Sequence, residues 1–87
     1  MLLEATKPMY FLSSEQLDTG QTLTIPEKCT TVMFQITSTA ITQVFNFAGG
    51  SQPVYMVGGS FYVFNVNSVR GINILNRVNV HYFKGNS

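Results

Sequence analysis

Residues 31–37, TVMFQIT, contain the pattern on which the fold prediction depends. Val32, Phe34 and Ile36 are apolar and occupy every second position. Alternate residues of a β-strand point to opposite sides of a sheet, so a two-residue period is typical of a strand with one buried face. The stretch therefore predicts a strand that packs one side against a core.

The same period recurs on both sides of this stretch. Residues 21–26 (QTLTIP) and 40–47 (AITQVFNF) also alternate and are predicted as half-buried strands. Residues 53–57 (PVYMV) and 60–66 (SFYVFNV) are apolar at nearly every position, which is typical of strands covered on two sides. These last two strands are where a partner is expected to bind.

Turn sequences such as Gly49-Gly50-Ser51 and Gly58-Gly59-Ser60 separate the runs at intervals typical of sandwiches and barrels. Residues 13–17 are predicted as a turn rather than a short helix. Residues 70–83 are predicted as two short strands that meet at residues 75–77, in preference to one long bulged strand.

The predicted fold class is all-β. We expect a small antiparallel β-sandwich or barrel of about 6–8 short strands, with little or no helix. The chain is predicted to form a single domain over residues 1–87, in which residues 1–17 are an extra strand or an arm that reaches a neighbour.

Charge is scarce along the whole chain. No Asp, Glu, Lys or Arg occurs between Cys29 and Val69, and charged residues make up 10% of the sequence, against about 25% in an average domain. Polar residues interrupt the uncharged stretch too often for the roughly 18 consecutive apolar residues of a membrane span. We therefore expect a soluble protein that does not enter a membrane.

The N-terminus and the cysteine content predict an intracellular chain. Residues 1–14 lack the basic segment and apolar run of a signal peptide, and Cys29 is the only cysteine, so it has no partner for an intramolecular disulfide. A domain of this size has a small core, which leaves oligomerisation as the expected additional source of stability.

The residues that usually perform catalysis are nearly absent. One Cys and one His are available, and a Cys29–His81 dyad would require both to meet in a cleft beside an orienting group. A closed zinc site needs four ligands at recognisable spacings, which the sequence lacks. We expect no enzymatic activity, no metal and no cofactor.

Aromatic and basic residues leave a ligand-binding function as the alternative. Predicted strands carry Tyr55, Tyr62, Phe64, Tyr82 and Phe83, and with Arg70, Arg77 and Lys84 these residues could stack on single-stranded nucleic acid. Aromatic and amide residues could equally form a shallow glycan site. Nucleic acid is not expected as a partner, because five Lys and Arg residues spread over 87 positions are too few for a dense basic patch.

The order of these features resembles the small β-sandwich modules of tailed-phage virion proteins. The similar segments are TLTIP (22–26), TTVMFQI (30–36), FAGGS (47–51) and an aromatic strand that leads through a short loop to RGINI (70–74). Together they cover most of the chain from Asp18 onward. The resemblance implies a non-enzymatic capsid decoration, head or tail component, assembled in the host cytoplasm and located in the virion.

The resemblance also implies its partners, namely other virion proteins and copies of the chain itself, as a trimer or larger homo-oligomer. Interface cores are depleted in charge and enriched in aromatic residues and Met, which is consistent with the uncharged stretch. The residues expected to bind partners are Tyr55, Met56, Tyr62, Phe64, Arg70 and Arg77.

Overall fold

The structure, a computed structural model, describes residues 9–47, 50 and 52–85 and is all-β, as predicted. Within these residues, six strands form two antiparallel sheets. The strands are β1 (Met9–Leu17), β2 (Thr31–Gln35), β3 (Ile41–Asn46), β4 (Pro53–Val57), β5 (Phe61–Asn65) and β6 (Val78–Gly85). One sheet has the order β1-β6-β2-β5, and β3 and β4 form a hairpin.

The core lies between the four-stranded sheet and the hairpin. The sheet contributes the residues at alternate positions of its central strands, and the hairpin contributes residues from both of its strands. The largest fully buried side chains include Val32, Phe34, Val80 and Tyr82 from the sheet and Val44, Phe45 and Met56 from the hairpin. The prediction that Val32, Phe34 and Ile36 face a core is confirmed.

Aromatic rings join the two layers. The Phe34 ring lies 5.1 Å from that of Phe45 and 5.5 Å from that of Phe64, between ring centroids. Phe47 approaches Phe45 and Phe64 edge-on. Edge-to-face and tilted pairs at these distances are favourable arrangements for aromatic quadrupoles, so the cluster fixes the hairpin over the sheet.

A bulge in β3 changes the predicted alternation. The register with β4 shifts between Gln43 and Phe45, and as a result both Val44 and Phe45 are buried. Ile41, which the alternation placed on the same face as Phe45, is 69% exposed instead. The extra residue of a bulge reverses the facing of every side chain beyond it.

Two other strand predictions are wrong in part. Residues 21–26 form no strand: Thr22 makes one isolated bridge with Asn73, and Leu23 donates its N–H to the carbonyl of Ile72. The first half of the 70–83 segment is likewise limited to this bridge, whereas its second half forms β6. The contact between residues 20–23 and residues 72–74 is too short to form a continuous β-ladder.

The N-terminal segment forms an edge strand. Residues 13–17, predicted as a turn, are part of β1 because the whole strand pairs with β6. The predicted extra strand is thus observed for residues 9–17, while residues 1–8 lie outside the described residues. The predicted turn at 49–51 also lies largely outside them.

A close backbone contact holds the hairpin against the loop that follows β2. A Cβ atom placed on Gly58 would lie 1.6 Å from the carbonyl oxygen of Ser38, so only glycine fits there. Gly59 has φ +89° and completes the turn into β5. Among the described residues, no helix is long and apolar enough to cross a membrane.

Candidate interaction surface

The side of the four-stranded sheet that faces away from the hairpin is a regular array of twelve side chains, here called the outer face. It has three rows, each with one residue from β5, β2, β6 and β1. The rows are Asn65, Thr31, Phe83, Phe11; then Val63, Met33, His81, Ser14; then Phe61, Gln35, Asn79, Gln16. None of the twelve is Asp, Glu, Lys or Arg.

The outer face is apolar at its two margins. Phe11 on β1 is 60% exposed, and Phe61 and Val63 on β5 are 59% and 55% exposed. Between them, Met33 and Phe83 are half-buried on the central strands, and Phe83 packs edge-on against Phe11. Large apolar side chains therefore extend across the whole width of a sheet face that the described residues leave open.

A chain of polar groups crosses the centre of the outer face. The Oγ of Ser14 lies 2.6 Å from Nδ1 of His81, and Nε2 of His81 lies 3.2 Å from Oε1 of Gln35. Because Oε1 can only accept, Nε2 carries the proton and Nδ1 accepts the Ser14 hydroxyl in the neutral imidazole. The pairing orders the imidazole between β1 and β2.

A serine beside a histidine with an orienting third group is also the arrangement of a nucleophile and its base. Catalysis of acyl transfer further needs donors aimed at the developing oxyanion. The backbone N–H groups of a sheet lie in its plane and bond neighbouring strands, so none points out of this open face toward Ser14. Ser14, His81 and Gln35 form an ordered polar centre on the outer face.

Three charged residues near the ends of β1 and β6 lie outside the outer face. Arg77 pairs with Asp18 at 2.6 Å beyond the end of the β1–β6 ladder, and Lys84 lies 5.6 Å from the ring centre of Tyr10. Both members of the Asp18–Arg77 pair are more than half exposed, so it contributes little to stability. The charges limit the extent of the uncharged surface.

One ionisable pair lies on the inner side of the sheet. The hydroxyl of buried Tyr82 donates to Oε2 of Glu15. Burial raises the pKa of Tyr82 well above its usual range, and the hydrogen bond to the Glu15 carboxylate and its negative charge act in the same direction. Tyr82 is thereby held neutral across the physiological range.

The predicted partner-binding residues do not form one surface. Tyr55 is exposed on the outer side of the hairpin, where Ile41 and Val57 are also exposed. Met56, its neighbour, is fully buried, so its assignment to a partner surface is wrong: it points into the core from the opposite side of β4. Arg70 is exposed in a turn, away from the outer face, and Arg77 is bound to Asp18.

Tyr62 and Phe64 lie between the two sheets rather than on the open side of β5. Phe64 belongs to the aromatic cluster, and the Tyr62 hydroxyl accepts the backbone N–H of Val57 at 3.0 Å. Both are half-buried, because β5 is an edge strand and the hairpin covers it incompletely. The open side of β5 instead presents Phe61 and Val63.

Sequence reasoning missed the outer face because β5 is apolar on both sides. Phe61 and Val63 share one parity and Tyr62 and Phe64 the other, but periodicity does not show which parity points inward. The tail carries a clearer signal: Val78 and Val80 are even-numbered and His81 is odd-numbered, so alternation alone places His81 on the side opposite to the buried valines.

Two further observations on the described residues concern the binding of small ligands. Within residues 9–47, 50 and 52–85, no three His, Cys, Asp or Glu residues are grouped as metal ligands. A half-open pocket of about 290 Å³ lies beside the hairpin and contains no titratable group; it is lined by Asn46, Phe47, Gly50, Gly71, Ile72, Asn73 and Leu75.

The chain matches no family model, no curated protein and no solved structure.

Proposed function

We propose that this chain is a non-enzymatic structural module that associates with copies of itself and docks through its outer face on a larger protein assembly. The outer face supports this most directly, because twelve uncharged side chains cover the solvent side of a four-stranded sheet. An antiparallel sheet that faces water usually carries polar and charged groups on that side. Depletion of charge with enrichment of aromatic residues and Met is typical of the centre of a protein interface.

The clustering of exposed apolar residues adds to this support. Single exposed apolar side chains are normal on protein surfaces, whereas a contiguous apolar patch often marks a binding site. Here Phe11 and Phe83 are in contact in one row, and Val63 and Met33 are neighbours in the next. A partner that covers this face would remove them from water without leaving a charge unpaired.

The resemblance to β-sandwich modules of tailed-phage virions suggests the kind of assembly. On this proposal the chain is a capsid decoration, head or tail component that is assembled in the host cytoplasm as a homo-oligomer of three or more copies. The small core is consistent with such a role, because burial between subunits adds to the limited area that a short chain buries on its own. Capsid, portal or tail genes beside the gene of this protein would support the virion assignment, and neighbours unrelated to phages would argue against it.

A ligand-binding module for nucleic acid has less support. Binding of single strands combines aromatic platforms with cations that follow the phosphates. The outer face has aromatic residues but no Lys or Arg, and Arg77 is engaged by Asp18. We therefore give preference to protein partners.

Replacement of Met33 by Lys tests the proposal. Met33 lies on a central strand and is half-buried on the outer face, so Met33→Lys places a charge in the middle of the surface without altering the core. Thr24→Lys is the matched control, because Thr24 is exposed outside the outer face. Sedimentation velocity over a wide range of protein concentrations, with circular dichroism to verify folding, would measure the effect.

We expect the wild-type chain and Thr24→Lys to form the same oligomer of three or more copies, and Met33→Lys to dissociate into monomers or pairs at concentrations at least about tenfold higher, because a partner that covers the outer face would desolvate the introduced charge. A wild-type chain that stays monomeric at the highest concentration would overturn self-association. Equal weakening by both substitutions would show that the outer face is not the surface involved.

A further inference from the structure

We infer that β5 pairs edge to edge with β5 of a second copy, which joins two four-stranded sheets into one sheet of eight strands. This inference deepens the proposed function and rests on it, because it names the contact that joins the copies of the homo-oligomer in pairs. It follows from a comparison of the sheet edges that the described residues leave open.

The outer strand β1 is protected against pairing. Exposed edges bind other chains unless a bulge, a proline, an inward-pointing charge or a covering segment prevents it. β1 has a bulge between Phe11 and Ser13. It also has the charged side chain of Glu15 on the inner side, bonded to Tyr82. Both features disfavour a regular ladder along this edge.

Both hairpin strands are protected as well. Leu75 donates its N–H to the carbonyl of Val44 at 2.7 Å, and Asn76 donates its side-chain amide to the carbonyl of Gln43 at 2.6 Å. On β4, the N–H of Val57 is bonded to the Tyr62 hydroxyl, and Pro53 begins the strand. Backbone groups that are already bonded are not available to another strand.

β5 has none of these protections. Its five residues, FYVFN, include no charge and no proline, and the register with β2 runs without a shift from Asn65 to Phe61. Among the described strands, β2 is its sole partner. β5 is therefore the one edge in the described part of the chain that is regular, uncharged and open.

The sequence of β5 is suited to pairing with itself. In an antiparallel register centred on Val63, Phe61 lies opposite Asn65 of the second copy, and Tyr62 lies opposite its Phe64. All five residues are then paired, and each residue faces the same side of the joined sheet as its partner. A symmetric contact places identical groups close together, so the absence of charge removes the main source of repulsion.

The pairing would also bury more of the side chains of Tyr62 and Phe64. Tyr62 and Phe64 lie at the margin of the core, and the same two residues of the second copy would extend the aromatic layer beyond the edge. On the other side, Val63 would meet Val63 of the second copy. The two outer faces would point in one direction, which doubles the uncharged surface offered to a larger assembly.

The length of β5 determines how strong this contact is by itself. Five residues extend about 17 Å, which is too short to bury the roughly 800 Å² per partner of a stable interface. We therefore expect a weak dimer that depends on protein concentration and is strengthened when the joined outer faces dock.

Cysteine crosslinking tests the register. Val63→Cys is introduced together with Cys29→Ser, since Cys29 is the only native cysteine and serine keeps a donor for the carbonyl of Thr31. Residues directly opposite in an antiparallel pair have Cα atoms about 4.5–5.5 Å apart, within the range that a disulfide spans. If the serine variant is unstable, Cys29 can be retained because it is buried, and the linked peptides identified by mass spectrometry.

Two control positions distinguish edge pairing from other contacts. Phe61→Cys should not link to itself, because two copies of residue 61 lie about 13 Å apart along the strands, but it should link to Asn65→Cys in a mixture. Met33→Cys should not link to itself in the joined sheet, since three strand spacings, about 14 Å, separate the two copies. Direct packing of two outer faces would instead bring Met33 residues together.

We expect Val63→Cys to form a disulfide dimer at least about tenfold faster than Phe61→Cys or Met33→Cys. Oligomers that form without preferential linkage at Val63 would overturn edge pairing and leave self-association intact. Preferential linkage at Met33 would assign the contact to the outer face instead. A wild-type chain that remains monomeric would overturn both proposals.

Discussion

The two faces of the four-stranded sheet are similar in the lack of charge on their central strands β2 and β6 beside the core and different in their surroundings. On the inner face, Phe34 and Val80 are completely buried under the hairpin. On the outer face, Met33 and His81, one residue away on the same strands, are only half-buried and no described residue covers them. Burial of uncharged side chains on the inner face stabilises the monomer. The uncharged side chains of the outer face contribute in the same way only when a partner covers them.

The largest test of this comparison uses two neighbouring residues of β2. Phe34→Ala removes a fully buried ring that contacts Phe45 and Phe64, and we expect a loss of about 3–5 kcal/mol in the free energy of unfolding. Met33→Ala should cost less than about 1 kcal/mol in the monomer, because its side chain is already half in water. Urea denaturation at a concentration where the protein is monomeric would measure both.

Similar losses for the two variants would contradict the assignment of faces. A domain of this size has about 5–15 kcal/mol of stability in total, so we expect Phe34→Ala to unfold at a much lower urea concentration than the wild type, while Met33→Ala should keep the wild-type transition.

A smaller effect on stability is expected at the Tyr82–Glu15 pair, at the edge of the inner face. Burial and Glu15 raise the pKa of Tyr82, so the folded protein holds the phenol proton more tightly than the unfolded chain does. The stabilising contribution is complete below the unfolded pKa of about 10 and is lost as the pH rises above it. We expect stability to fall above pH 10, as measured by thermal or urea unfolding at a series of alkaline pH values.

Tyr82→Phe should cost about 1 kcal/mol at neutral pH through loss of the hydrogen bond to Glu15, and it should weaken the alkaline fall. Glu15→Gln is the matched control, since its amide oxygen still accepts the hydroxyl but carries no charge. If the stability of Tyr82→Phe falls with alkaline pH as steeply as that of the wild type, the other tyrosines are responsible for the fall.

The smallest effect is expected at the centre of the outer face. Ser14→Ala removes the hydroxyl that His81 Nδ1 accepts, and because Ser14 is exposed we expect a cost of about 0.5 kcal/mol or less. Ring ¹⁵N NMR shifts of His81 give a sharper measurement, because they report which nitrogen carries the proton. We expect the Nε2–H form in the wild type; a predominant Nδ1–H form would show that the contact with Gln35 does not orient the ring.

Several features of the fold could be predicted from short-range pattern. The alternation in TVMFQIT correctly places Val32 and Phe34 in the core, and the even-numbered valines of the tail are buried in β6. The prediction failed where long-range pairing overrides local preference. Residues 13–17 contain two serines and a glutamate, which favour a turn, but pairing with residues 78–82 makes them a strand.

The surface was harder to predict than the core. Tyr62 and Phe64 were expected to meet a partner, whereas Phe61 and Val63 are the exposed residues of β5. A strand that is apolar on both sides fits a core in either orientation, and the choice depends on the layer that packs against it. The bulge at Val44 was missed for a related reason, because an inserted residue leaves no distinct mark in an apolar run.

The sequence alone determined that the protein is a small all-β domain with few charges, because alternation, turn residues and composition act through neighbouring positions. Tertiary structure decided which strands are edges, which side of β5 points outward, and that Met56 is core rather than surface. These choices depend on strands far apart in the chain: β1 lies beside β6 and β2 beside β5. The uncharged outer face arises from that pairing, since it collects polar and apolar residues from four separate segments into one surface.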